Sequence, residues 1–213
     1  MTQLIDYEAK KRPTQARSKA TFRAILDAAA RILVTEGYAG LSTNHVARIA
    51  GVGIASVYEY FPGKEAIVAT LAVQELDAFV ERVAAHLPRV VAMGGPAGLH
   101  HLLATTVEEV HANAALYRVL LREIPFVSRL PRILQLQQKA YSHARTAGAQ
   151  APEAQLLPDF ERDIWLIWQM TYNTALEIGF AELEELDRIR MVEEFVRLVG
   201  RMLFPSDRAS AAG

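Results

Sequence analysis

The chain has 213 residues, about half of them apolar, which is enough for one large core or two small ones. It contains no cysteine, which excludes a disulfide framework and a thiolate metal site and suits the cytoplasm. Overall, 23 basic residues stand against 24 acidic ones, but residues 1–64 carry nine against five, and residues 65–213 carry fourteen against nineteen. A basic end on a near-neutral chain points to a polyanion, although by charge alone a solvated, frayed terminus fits better.

Met1 to Lys19 has no apolar stretch of the signal-peptide kind, and no run of eighteen apolar residues suggests a membrane span. A cytoplasmic protein without membrane contact is the expectation. Strand signals are nearly missing, whereas helical periodicity recurs throughout, so the chain reads as all-α. Phe22, Ile25, Leu26, Ala29, Ile32 and Leu33 form the first apolar stripe, with Gly37 as its C-terminal stop.

Residues 42–61 read STNHVARIAGVGIASVYEYF. Ser42 or Thr43 caps a short helix whose apolar face is Val46, Ile49 and Ala50. Gly51 falls where two helices turn sharply and a left-handed backbone is required. Ala47 is small enough to let the second helix approach, and Val52 and Val57 fill the space between them. An ordinary helical hairpin also needs a turn glycine. It does not need Ala, Gly and two Val at these offsets followed by Tyr-x-Tyr-Phe, so the spacing points to a helix-turn-helix.

A fourth helix is expected over Lys64–Leu87, carrying Ile67, Val68, Leu71, Leu76, Phe79, Val80 and Val83 and ended by Pro88. Met93-Gly-Gly-Pro96 is a breaker. Helices follow over Pro96–His111, Ala114–Glu123 and from Pro131 to about Ala147. Gly148–Pro158 reads as a mobile loop, Asp159–Ala181 and Leu186–Leu203 as two long helices, and residues 204–213 as a disordered tail.

The run Ile49-Ala50-Gly51-Val52-Gly53-Ile54-Ala55-Ser56-Val57-Tyr58-Glu59-Tyr60-Phe61-Pro62-Gly63-Lys64-Glu65, preceded by Thr43, resembles the signature of TetR/AcrR-family regulators. Ile25–Ala30 with Glu36-Gly-Tyr38 resembles their first helix, and the likeness covers about residues 14–68. It implies a basic arm and three-helix DNA-binding domain over residues 1–64 and a helical ligand-binding and dimerisation domain over residues 65–203. It also implies that Thr43 bonds a phosphate and that Gly53, Ile54, Ala55 and Ser56 reach base edges or nearby phosphates. Tyr58 and Tyr60 would meet backbone or bases, and Lys64 a phosphate.

Two positions depart from the family pattern. Gly53 stands where a hydroxyl residue is usual, and Ile54 where a polar or basic one is common. Ile54 either touches a thymine methyl or packs on the protein. Glu59 either accepts from cytosine or is simply solvated. The two tyrosines are either core or interface, with at least one expected to face DNA. Beside such a reading head, Lys11, Arg12 and Arg17, with Lys10, gain a role at phosphates or in the minor groove.

For the second domain the resemblance implies a homodimer through the last two helices, with Trp165, Phe195, Val199 and Met202 as candidate interface residues. The long helix that includes Trp165 is apolar on several sides and should be buried all round, either by a partner subunit or by its own chain. A pocket among these helices would be walled by His101, Thr105, Tyr117, Leu121, Phe126, Trp168 and Tyr172, and an aromatic lining favours a largely apolar or aromatic effector. Aromatics at helical spacing are equally the material of a core.

The six histidines show no metal-ligand spacing, and no nucleophile motif or glycine-rich phosphate loop occurs, so neither an enzyme, a metal nor a cofactor is expected. The leading reading is a repressor that binds a palindromic operator as a dimer and is released by a small molecule. The alternative is a DNA-binding regulator controlled by a protein partner.

Overall fold

The computed structural model describes residues 7–11 and 13–203, and among them helix is the only regular structure. The helices are α1 (Ala16–Gly40), α2 (Thr43–Ala50), α3 (Ile54–Tyr60), α4 (Lys64–Ala84), α5 (Leu87–Met93), α6 (Gly95–Ala112), α7 (Ala114–Arg118), α8 (Pro131–Gln150), α9 (Phe160–Phe180) and α10 (Glu185–Leu203). A π-type turn over Val119–Glu123 extends α7, and 3-10 turns cover Val127–Arg129 and Pro152–Leu156. Arg12 and the tail over residues 204–213 lie outside the described residues.

Packing divides the chain into two compact units. One comprises the described residues up to 78 with 115–135; the other comprises 79–114 with the described residues from 136. The division falls inside α4, after residue 78, and residues 115–135 group with the N-terminal helices.

In the first unit the α1 stripe is buried as its spacing predicts: Phe22, Ile25, Leu26, Ala29, Ile32 and Leu33 all face inward. Gly37 takes φ 68 and breaks the regular helix before Gly40. Val46, Val57, Phe61, Ile67 and Leu71 complete the core, with the Phe22 and Phe61 rings stacked 4.9 Å apart. Burying side chains of this size contributes about 1.5–3 kcal/mol each, and this sets the mutual placement of α1 to α4.

In the second unit α6 packs on α9 and α10 around Leu103, Val107, Ala175, Ile178, Val192 and Val199. Gly179 lets α9 press onto α6: a Cβ there would stand 2.5 Å from Val110 Cγ1 and 3.1 Å from the Val107 carbonyl. Asp159 caps α9 by accepting from the Arg162 amide.

Two expectations are corrected and a third is narrowed. Pro88 does not end a helix but opens α5, where the first turn needs no amide donor and tolerates proline. Residues 148–158 are not a plain loop, because α8 runs on to Gln150 and a 3-10 turn follows. α9 is not covered on all sides within its chain, since Trp165, Leu166 and Met170 are exposed.

Candidate nucleic-acid interface

The bihelical unit is built as the sequence predicts, with the choices now resolved. Ser42, not Thr43, caps α2, its hydroxyl accepting from the His45 amide at 3.2 Å. Gly51 adopts φ 66 and ψ 31, the left-handed conformation that L side chains avoid. Its amide donates back to Arg48 O at 3.3 Å, while the Val52 amide donates to Ala47 O at 3.0 Å, so two carbonyls at the end of α2 are satisfied within the turn. Val46, Ala47 and Val57 are buried at the α2–α3 crossing, and Val52 is half-buried. Ile49, expected on the inner face of α2, is exposed instead.

α3 has two distinct faces. Val57 and Tyr60 are buried, the Tyr60 ring edge-on to Phe22 at 5.6 Å. Ile54, Ala55 and Tyr58 are exposed, Ser56 is half-buried, and Gly53 precedes them in extended backbone as an N-cap without a side chain. Ile54 is 38% exposed, so it is presented outward and not packed away. Of the two tyrosines expected at DNA, Tyr58 presents its ring, while Tyr60 belongs to the core because its i+3 offset from Val57 puts it on the inner face. Thr43 Oγ1 and the Tyr58 hydroxyl share a hydrogen bond at 3.1 Å, joining the first turn of α2 to the outer face of α3.

The basic residues are largely engaged within the unit. Lys64 Nζ donates to Leu41 O at 3.2 Å and stands 4.2 Å from the centre of the Tyr38 ring. Tyr38 in turn donates to Glu65 at 3.1 Å, and its phenol pKa is raised first by burial and then by the Glu65 carboxylate. Lys11 pairs with Glu59, which keeps the ammonium protonated above its ordinary range, and lies 5.4 Å from the centre of the Tyr60 ring. Glu59 is thus an ion-pair partner, a role its isolated position in the sequence did not show. Lys10 donates from its amide to Tyr60 O at 2.8 Å and from Nζ to Tyr58 O at 3.0 Å. Arg17 is exposed on the first turn of α1.

The expected effector wall divides between the two units. Tyr117, Leu121 and Phe126 belong to the first. There Tyr117 is a core residue, 1% exposed, and Phe126 lies 4.9 Å from Tyr7 and 6.1 Å from Tyr38, ring centre to ring centre. His101, Thr105, Trp168 and Tyr172 belong to the second. Trp168 and Tyr172 stack at 5.3 Å and 9°, and Tyr141, which periodicity did not single out, meets Trp168 at 5.4 Å. Burial raises the Tyr172 phenol pKa. Thr171 Oγ1 and His143 Nε2 are buried without a hydrogen-bond partner. A shallow groove of about 400 Å³ beside α10, lined in part by Pro96, His100, Val196 and Arg201, includes none of the expected wall residues.

The candidate dimer residues also separate. Trp165 is exposed and Phe195 half-buried, whereas Val199 is 3% exposed within its own core and is not a surface residue. The Met202 side chain lies outside the described residues. Among the described residues no three His, Asp or Glu side chains gather as metal ligands, and no helix is long and apolar enough to cross a membrane.

Two short helices locked by a left-handed glycine, with the second presenting one face outward, define a helix-turn-helix DNA-binding protein. Residues 25–71 match the sequence model of the bacterial regulatory proteins of the tetR family, a stretch that runs from α1 through the helix-turn-helix into α4. No curated protein is similar to it in sequence. Among solved structures it resembles the fatty acid degradation regulator FadR of Bacillus halodurans, with 17% identity, coverage of 92% of this chain and 98% of that one, and a TM-score of 0.64. It also resembles FadR of Bacillus subtilis in complex with stearoyl-CoA, at 16% identity, 86% and 98% coverage and a TM-score of 0.61. A TetR-family regulator of Streptomyces coelicolor matches at 22% identity, 89% and 100% coverage and a TM-score of 0.57. At these identities the likeness establishes the fold.

Proposed function

We propose that the protein is a dimeric repressor that binds a palindromic operator through α3 of each copy and leaves it when a small molecule binds. The observation that carries the DNA reading is the two-sidedness of α3, with Val57 and Tyr60 inward and Ile54, Ala55 and Tyr58 outward. A helix held on one side, with a side chain-free Gly53 and a small Ala55 opening the other, fits a major groove, where Ile54 meets a thymine methyl. Thr43 and Tyr58 contact the phosphate backbone and fix register. Arg17 adds a phosphate contact from the start of α1.

The exposed apolar side chains of α9 and α10, among them Trp165, Met191 and Leu198, support pairing with a second copy. Two-fold symmetry in the protein then matches two-fold symmetry in the operator. The aromatic group Tyr141, Trp168 and Tyr172, with the unpaired Thr171 hydroxyl and His143 nitrogen nearby in sequence, supports an effector that is largely apolar or aromatic and carries a hydrogen-bonding group. Stearoyl-CoA in the Bacillus subtilis regulator makes a long acyl chain a second class to test. Effector binding releases DNA only by favouring a state whose two α3 helices no longer match successive grooves.

A gel shift of the purified protein on DNA flanking its own gene tests the central reading. Specific retardation that weakens steeply with salt is expected. No specific retardation at low salt defeats it. Thermal shift with aromatic acids and with stearoyl-CoA then tests the effector, since a ligand of the native state raises apparent stability.

A further inference from the structure

We propose that residues 7–11 form a strap that positions the recognition helix, with Lys10 as its clasp, instead of an arm that binds phosphate. The reasoning begins with how little α3 has of its own. It is seven residues long, and Gly53 offers no side-chain oxygen to its N-terminus. Isolated helices this short do not persist in water, so its ends must be held by other parts of the chain.

At the C-terminal end, the Phe61 amide takes the Val57 carbonyl at 2.9 Å. Lys10 supplies the next contacts from 48 residues away: its Nζ meets Tyr58 O at 3.0 Å and its amide meets Tyr60 O at 2.8 Å. These are carbonyls of the last turn, which no further helical turn can satisfy. The ammonium also stands at the negative pole of the helix, where a cation is stabilising. Lys11 neutralises Glu59 on the same turn.

The other end of the strap is pinned too. Tyr7 packs its ring against Phe126 at 4.9 Å, within the same packing unit as α3. Only two residues, Glu8 and Ala9, thus separate a hydrophobic anchor from a helix cap. With its Nζ on the Tyr58 carbonyl, the exposed Lys10 holds the end of α3 through one of the three donors of its ammonium. Lys10 and Tyr7 are therefore positioning residues: they set the end of α3 opposite to the one that carries Gly53 and Ile54.

The proposal rests on α3 being the DNA-reading helix, and the test keeps the two apart. Full-length Lys10→Met and Tyr7→Ala proteins are compared with the parent by hydrogen exchange without DNA and by operator titration across salt concentrations. Loss of protection confined to α3, with α1 unchanged, is expected in both. Operator affinity falls about threefold to tenfold, the size one lost helix-end contact carries, with an unchanged salt slope. A Lys10→Met protein with normal α3 exchange and a salt slope reduced by about one is the phosphate-arm result and overturns the proposal. Normal exchange and affinity in Tyr7→Ala overturn the anchor. Loosened α3 with unchanged operator affinity removes α3 as the reader, and the positioning role with it.

Discussion

Thr43 Oγ1 and the Tyr58 hydroxyl lie 3.1 Å apart, so the first residue of α2 and the outer face of α3 share one hydrogen bond. Both groups retain capacity for a further bond, because a hydroxyl is at once donor and acceptor. A phosphate at this point would meet two pre-oriented hydroxyls instead of two independent rotors. Thr43→Val keeps the branched shape and removes the oxygen. Operator affinity should fall about three- to tenfold, the range of one hydrogen bond, by the same factor on the operator and on base-substituted variants. Fluorescence anisotropy on both DNAs checks this; a change in their ratio would mean that the pair reads bases.

Gly53 opens α3 with ordinary extended backbone, φ −68 and ψ 145, and a Cβ there meets nothing within 4 Å. Serine fits the position and brings the capping oxygen that α3 lacks. Gly53→Ser should raise stability by a few tenths of a kcal/mol, read as a higher Tm, because serine caps better than glycine by about that margin. A lower Tm would show that the local backbone does not reach capping geometry.

Gly179 is held by contact instead of by backbone conformation. Its missing Cβ would fall 2.6 Å from Val110 Cβ, inside any tolerable distance. Gly179→Ala forces α9 and α6 apart and should lower stability by about 1–3 kcal/mol. Chemical denaturation measures it, and an unchanged midpoint would mean the helices separate without cost.

His86 Nδ1 and His101 Nε2 lie 3.3 Å apart, and the bond needs at least one neutral ring. Burial, then Arg89 with His86 and His100, holds the His101 pKa below its ordinary value of 6.5. The unfolded chain therefore binds the proton more readily. This contribution to stability is complete above the unfolded value and is lost as pH falls through the folded one. Melting curves at about pH 7.5 and about pH 5.5 should show a drop on acidification that His101→Gln reduces. An equal drop in both proteins assigns the effect elsewhere.

Leu198 is 53% exposed on α10, and Trp165 is 45% exposed on α9. If a second copy covers them, Leu198→Arg places an unpaired charge at an apolar contact and should yield monomers in sedimentation velocity. A parent protein that is already monomeric, or a variant that remains dimeric, removes this face from the assembly.

The sequence carried the local geometry of the helix-turn-helix. Gly51, Ala47 and Val57 are dictated by neighbours within ten residues, and a left-handed turn admits few residues, so their pattern is readable without a fold. The α1 stripe was readable for the same reason, since period alone fixes a helical face. Other assignments depended on partners distant in the chain. Tyr60 shares the helical face of Val57 and Tyr58 does not, but it takes Phe22, 38 positions earlier, to cover the Tyr60 ring. Lys10 and Lys11 read as an arm for DNA, and nothing in their own stretch shows that they meet a carbonyl and a carboxylate of α3, 48 residues on. Phe126 has Tyr7 and Tyr38 as ring neighbours, more than 80 positions away in the chain, which its own helical spacing does not show. Val199 is apolar and helical like its neighbours, and only the docking of α10 on α6 turned it inward. Short-range sterics are written in consecutive residues, whereas the face a charge or ring turns to is decided by which distant surface reaches it first.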